Sequence, residues 1–340
     1  MTDEKNTKNE KGMNTDAFEE LKDDVDQLDI PEEDKQKIFK NLLNLKNKKI
    51  NLLITGATGV GKSSTINALF KIKVAKVGTG VNPETMDITK YELKNLILWD
   101  SPGLGDGVEK DKIHSKNITE KLMECDENGD PLIDLVLVIL DGGSRDLGTS
   151  FELINSVIIP NLGENKNNRI LVAINQCDMA MKKRHWDSIN NKPDKILTEF
   201  LDEKVQSIKQ RIKEGSGIDI NPIYYSAGFE DEDGSQDPYN LSKLLYYIIK
   251  YTPTEKRLTY IDNISEKKEV WQSNDDLEDY GKEIKKSFLE TIEEHAAKGA
   301  DIGEKIGSVM GPVGKIMGRD IGERVGTVIG IVKGLKDLFS

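Results

Sequence analysis

The chain has 340 residues, with 60 acidic against 48 basic side chains and a formal net charge of -12. That length suggests about two domains with a full core. The acidic balance argues against DNA binding through general phosphate attraction, and leaves a local basic patch or an RNA partner open. Two cysteines, Cys125 and Cys177, make no disulfide framework and suit a reducing, cytoplasmic setting. The first residues, MTDEKNTKNEKG, have no apolar core and do not read as a secretory signal.

Residues 1 to about 15 have a disordered composition. Two helices are expected between Thr15 and Asn47, one capped by Thr15 or Asp16 and one opened by Pro31 with acids in its first turn. Ile38, Leu42 and Leu45 share an apolar face that can pack on a neighbouring domain. Residues 1–47 thus form a disordered start and a helical arm.

The strand-like KINLLIT leads into Gly56-Ala57-Thr58-Gly59-Val60-Gly61-Lys62-Ser63-Ser64, and the helix-like TINALF follows. Gly-x-x-x-x-Gly-Lys-Ser between a strand and a helix is a phosphate-binding loop. Its glycines let successive N–H groups curl around an anion, and the new helix presents its positive end there. Lys62 can reach the outer phosphates, and the Ser63 hydroxyl suits Mg²⁺. The expected ligand is a nucleoside triphosphate.

A threonine that closes on Mg²⁺ and the γ-phosphate is expected before the next motif. Thr85, just ahead of the strand-like DITKYEL, is the first choice; Thr79 is the runner-up, and Thr89 the third candidate. A backbone contact in place of all three stays open.

The apolar NLILW ends in Asp100-Ser101-Pro102-Gly103. Asp100 can hold Mg²⁺ through its water shell, and Gly103 can offer its N–H to the γ-phosphate. Leu104 follows, where Ras-like enzymes carry the glutamine that orients the attacking water, so intrinsic hydrolysis should be slow. His114 reads as a solvent-exposed helix residue. Arg145, after the strand-like LVLVIL, is either an arginine finger or a partner of Asp146.

The strand-like RILVAI ends in Asn175-Gln176-Cys177-Asp178. A carboxylate there can accept two hydrogen bonds from guanine, a donor pair that adenine lacks. The insert after it carries Trp186, read as an anchor of its own loop. The strand PIYY ends in Ser226-Ala227-Gly228, suited to offering a backbone N–H to guanine O6. Each of these later motifs is weak alone. Four in this order, each at the carboxyl end of a strand, are not.

On GATGVGKSSTINALF, WDSPGLGDG, the Asn-Gln-x-Asp variant followed by RHWD, and SAG, the chain resembles the Era-like GTPases of the P-loop class. Within them it is most similar to the bacterial YfjP/YeeP-type GTP-binding proteins, over roughly residues 50–250 and more loosely beyond. The resemblance implies GTP and GDP as ligands with Mg²⁺, and an α/β P-loop fold: a G domain with a mostly parallel sheet flanked by helices. It departs from the usual Asn-Lys-x-Asp at Gln176, whose shorter, uncharged stem should lower affinity without changing the base. Catalysis would rest on Lys62, Thr85, Mg²⁺ and a further group from a second copy of the domain or a partner. That reading places the G domain at 48–251.

Past Pro253 the residues are charged and helix-favouring, a helical connector over 252–295. Residues 296–340 step through glycines four apart, from Gly299 to Gly311 and again from Gly314 to Gly334. Such a stripe suits close helix–helix contact, and Gly311-Pro312 suggests a hairpin. Each glycine costs near 1 kcal/mol in an isolated helix, so packing, self-association or a membrane must compensate. Arg319, Asp320, Glu323 and Arg324 interrupt any spanning run of ~18 apolar residues. A membrane-surface or oligomerising element and a soluble hairpin docked on the G domain both remain open.

Overall fold

The computed structural model describes Asp26 and residues 31–72, 87–105, 107–229 and 236–296. Thr79, Thr85, the first expected helix and the glycine-patterned tail lie outside the described residues.

Six strands form one sheet: β1 (Ile50–Gly56), β2 (Thr89–Leu93), β3 (Leu96–Asp100), β4 (Leu135–Asp141), β5 (Ile170–Asn175) and β8 (Ile223–Tyr224). Their order is β2-β3-β1-β4-β5-β8, parallel throughout except that β2 runs antiparallel to β3 at the edge. A short hairpin, β6 (Trp186–Asp187) with β7 (Lys192–Pro193), stands apart from it. The near-continuous apolar runs of β1, β4 and β5 are buried on both faces, as a doubly covered parallel sheet requires. Edge strand β2 instead alternates half-buried and exposed residues.

Alternation along β4 sorts the core into two layers. Leu135, Leu137 and Ile139 face one cluster, and Val136, Val138 and Leu140 the other. The first layer is covered by α1 (Glu32–Lys46), α2 (Lys62–Leu69), α6 (Leu241–Tyr251) and α7 (Tyr280–Ala296). The second lies under α3 (Val108–Met123), α4 (Gly148–Glu152) with its following π-turn, and α5 (Lys195–Ser216). Asp194 caps α5 by accepting the Leu197 N–H at 3.0 Å, and Gly217, at φ 75°, ends it.

The arm helix α1 begins after Pro31 with three acids and buries Ile38, Leu42 and Leu45, as expected. It packs on α7 and on the turn Thr254–Tyr260. The stretch after Thr252, read as a connector, is buried in the same core. Tyr260, Ile284 and Phe288 are fully buried, and Trp271 nearly so. Backbone bonds from Lys71 N to Asn263 O (2.9 Å) and Ser265 N to Leu69 O (2.8 Å) stitch it to the end of α2. The sequence between Thr252 and Tyr280 is built of short 3-10 turns, which leave no helical period to read.

Candidate functional site

The carboxyl ends of β1, β3, β4, β5 and β8 converge on one edge, and the phosphate loop starts there. Gly56 closes β1 with φ 150°, and a Cβ on it would stand 2.2 Å from the Ile139 carbonyl of β4. Gly59 and Gly61 take left-handed φ values of 80° and 86°, which turn the chain into α2. A helix leaves its first N–H groups without internal partners, so those of Lys62, Ser63 and Ser64 are suited to an anion. Lys62 curls back over the loop, its Nζ donating to the carbonyls of Gly56 (3.3 Å) and Ala57 (3.1 Å).

Asp100 ends β3 beside Ile54. Its Oδ1 is buried and has no hydrogen-bond partner among the described residues. Burial pushes its carboxyl up to about 6, against the opposing pull of the Lys62 ammonium. An orphaned, buried carboxylate oxygen at the end of β3 suits a hard divalent cation, and Ser63, in the first turn of α2, is buried as well. Ser63 and Asp100 are therefore the residues that would hold Mg²⁺.

The segment after Asp100 lies against the phosphate loop. A Cβ on Gly103 would stand 2.5 Å from Thr58 N, so only glycine fits. Leu104 forms a one-residue parallel bridge with Ala57, and its side chain is 3 % exposed within the second core layer. It serves as an anchor turned away from solvent.

His114 departs from expectation. It is 1 % exposed, and its Nδ1 sits 3.0 Å from the Gly103 carbonyl. The sequence held the signal: His114, Ile118 and Leu122 recur every four residues on the buried face of α3. The polarity of the other α3 residues hid it.

The end of this edge expected to hold the base is built on Asn175, which closes β5. Its Nδ2 donates to the Val60 carbonyl and its Oδ1 accepts the Ala227 N–H, both at 2.8 Å. A Cβ on Gly61 would stand 2.4 Å from that Nδ2. Gln176, with φ 59°, donates to the Gly59 carbonyl at 2.9 Å, so its short stem still reaches the phosphate loop. The Ser226 hydroxyl donates to Asp178 Oδ1 at 2.6 Å and steadies that carboxylate. Of the Ser226–Gly228 amides, one of which is expected to meet guanine O6, that of Ala227 is spent on Asn175. A base oxygen would have to share or replace that bond.

Other expectations fare unevenly. Arg145 is exposed, and no ion pair joins it to Asp146 among the described residues. Asp146 Oδ1 instead accepts the Gly148 N–H at 2.9 Å. Trp186 is half-buried and meets the Tyr239 ring edge-on at 5.3 Å, an anchor for its loop. Gln236 bonds the carbonyls of Ser64 and Ala227, tying α2 to the base loop, and no sequence pattern announced it.

Residues 51–176 match the family described as 50S ribosome-binding GTPase. The chain carries a P-loop GTPase domain. Among its relatives are two Escherichia coli K12 proteins, both described as uncharacterized. YkfA is 29 % identical over 156 residues, covering 45 % of this chain and 50 % of that protein. YfjP is 31 % identical over 131 residues, covering 37 % and 41 %. The probable GTP-binding protein EngB of Methanococcus aeolicus is 33 % identical over 96 residues, covering 27 % and 40 %. The chain spans half or less of the length of these curated relatives. No helix among the described residues is long and apolar enough to cross a membrane.

Proposed function

We propose that this GTPase domain binds GTP and GDP with Mg²⁺ and hydrolyses GTP slowly, using the bound nucleotide as a conformational switch. The Asn175 side chain carries the reading. Bonded to Val60 at one end and Ala227 at the other, it makes phosphate loop and base loop one continuous site. The description of EngB as a probable GTP-binding protein supports it.

In this reading the amides from Gly56 to Ser64 hold the phosphates. Lys62 neutralises the charge that develops as the bond to the γ-phosphate breaks. Ser63 and Asp100 would hold Mg²⁺, which when bound would supply charge neutralisation at the phosphates; Thr85 is the threonine proposed to join them. Gly103 offers its N–H to the γ-phosphate. Asp178 accepts the guanine N–H groups, Ser226 orients Asp178, and Gln176 and Ala227 flank the base.

Leu104 has no group to orient water, and its burial keeps it in the core. The missing group would come from a second copy across the GTPase domain, or from a partner. The same burial favours a second reading: a GTP-dependent scaffold with negligible turnover that assembles at a membrane surface through residues 296–340. A cytoplasmic setting belongs to both readings, and peripheral membrane association through that tail to the second alone.

Equilibrium binding of labelled GTP, GDP and ATP tests the first step. Both guanine nucleotides should bind, and ATP at least about a hundredfold more weakly. Absence of binding by GTP and GDP ends the proposal. Single-turnover phosphate release at rising protein concentration then separates the two readings. A rate that climbs with concentration supports catalysis through assembly, and no release at any concentration supports the scaffold. For the tail, liposome flotation should fall when the chain is ended at His295; equal flotation removes the membrane.

A further inference from the structure

The two peptide units after Gly103 are each held on both sides. In the Gly103–Leu104 unit, the carbonyl accepts from His114 Nδ1 (3.0 Å) and the Leu104 N–H donates to the Gly56 carbonyl (3.3 Å). In the Leu104–Gly105 unit, the carbonyl accepts the Thr58 N–H (3.0 Å) and the Gly105 N–H donates to Asp111 Oδ1 (2.9 Å). One partner of each pair comes from the phosphate loop, the other from α3. His114 and Asp111 stand three residues apart on that helix and so share a face. The four bonds leave the Gly103 N–H out.

This clamp costs something. A carbonyl only accepts, so His114 Nδ1 carries a proton, and Nε2 is left buried with no partner among the described residues. A leucine would fill that space without stranding a buried polar atom. Packing alone therefore gives no reason for a histidine.

We infer that His114 and Asp111 are positioning residues that fix the backbone of Gly103 beside Thr58, so that the γ-phosphate meets a preorganised amide. Ordering this turn in advance removes a cost that would otherwise fall on triphosphate binding. GDP, which has no γ-phosphate, gains nothing from it. Discrimination between the two nucleotides is thus set from α3. This inference rests on the guanine-nucleotide reading.

The test uses the full chain, with binding of GDP and a non-hydrolysable GTP analogue and hydrogen exchange of the nucleotide-free protein. The Leu104 and Gly105 amides should be protected. His114→Leu and Asp111→Ala should each release that protection. Each should also cut the triphosphate-over-diphosphate affinity ratio about tenfold, leaving GDP within about twofold. His114→Asn, whose amide can donate like Nδ1, should keep most of both. Asp111 is half-buried, so its variant carries the test should His114→Leu not fold. Equal loss for both nucleotides, no loss for either, or unprotected wild-type amides overturn the inference. Should the wild type bind no guanine nucleotide, the guanine reading and the role in discrimination fall together. Protected amides would then leave the clamp as structure alone.

Discussion

Asn175 donates its side-chain N–H to the carbonyl of Val60 at 2.8 Å, joining the end of β5 to the phosphate loop. The other end of the same amide accepts the Ala227 N–H. One side chain, 2 % exposed, thus holds three loops together. Its loss strands a buried carbonyl and a buried N–H. Asn175→Ala should cost about 2–4 kcal/mol of stability, at roughly 1–3 kcal/mol per stranded group with partial relaxation. Urea unfolding measures this, and it should weaken GTP and GDP alike. A fall in affinity with unchanged stability would show that Asn175 acts on the ligand alone.

In the proposed reading, base choice turns on Asp178. Its carboxylate is an acceptor, and Ser226 donates to it at 2.6 Å. Asp178→Asn replaces one acceptor by a donor and should shift preference from guanosine to xanthosine nucleotides by about a hundredfold. Competition binding with both bases reads the shift. An unchanged ranking would mean that the base sits elsewhere.

Asp100 gives a pH signature whose sign is fixed. Its carboxyl is pushed up to about 6 from 3.8 by burial, so the folded chain binds that proton more tightly than the unfolded one. Stability of the metal-free protein should therefore fall as pH rises through that window and level off above about 6. A protonated Asp100 also cannot serve Mg²⁺. Metal-dependent nucleotide affinity should drop about tenfold per pH unit below that point. Asp100→Asn should flatten both profiles. Thermal melts and Mg²⁺ titrations between pH 5 and 8 check the pair.

What was legible in the sequence follows from what the chemistry demands of it. The places of Gly56, Gly61 and Asn175 could be read because few other residues fit there, at a spacing set by the backbone; the roles proposed for Lys62 and Asp178 rest on the same spacing. The strands were legible for a similar reason: a sheet covered on both faces needs unbroken apolar runs, and β1, β4 and β5 have them. Leu104 was read only as a missing glutamine, because nothing local says that a leucine after Gly103 turns into the core. The burial of His114 is hard to read because a histidine among lysines and glutamates looks solvated until its four-residue step to Ile118 is counted. Contacts between residues far apart, such as Gln236 with Ser64, leave no periodic trace.

Lys256 and Asp134 make the last case, since they decide whether the stretch past Thr252 belongs to the domain. The Lys256 Nζ lies 2.6 Å from Asp134 Oδ1, and the other carboxylate oxygen accepts the Asn51 N–H at 2.9 Å. Asp134 is 7 % exposed at the start of β4, where burial raises its carboxyl and the Lys256 ammonium opposes that rise. Removing the ammonium leaves a buried carboxylate held by one amide. Lys256→Met should cost about 3–5 kcal/mol at neutral pH. Without its partner the carboxyl rises further, so the loss should shrink in acid, where Asp134 takes up a proton and buries no charge. Guanidinium unfolding at pH 5 and pH 8 reads both effects. Were the midpoint to stay put at pH 8, the Thr254–Tyr260 turn would be an ornament on the domain. A large, acid-relieved loss makes it part of the floor under β1 and β4, and ties the helix leading to the tail into the same cooperative unit as the nucleotide site.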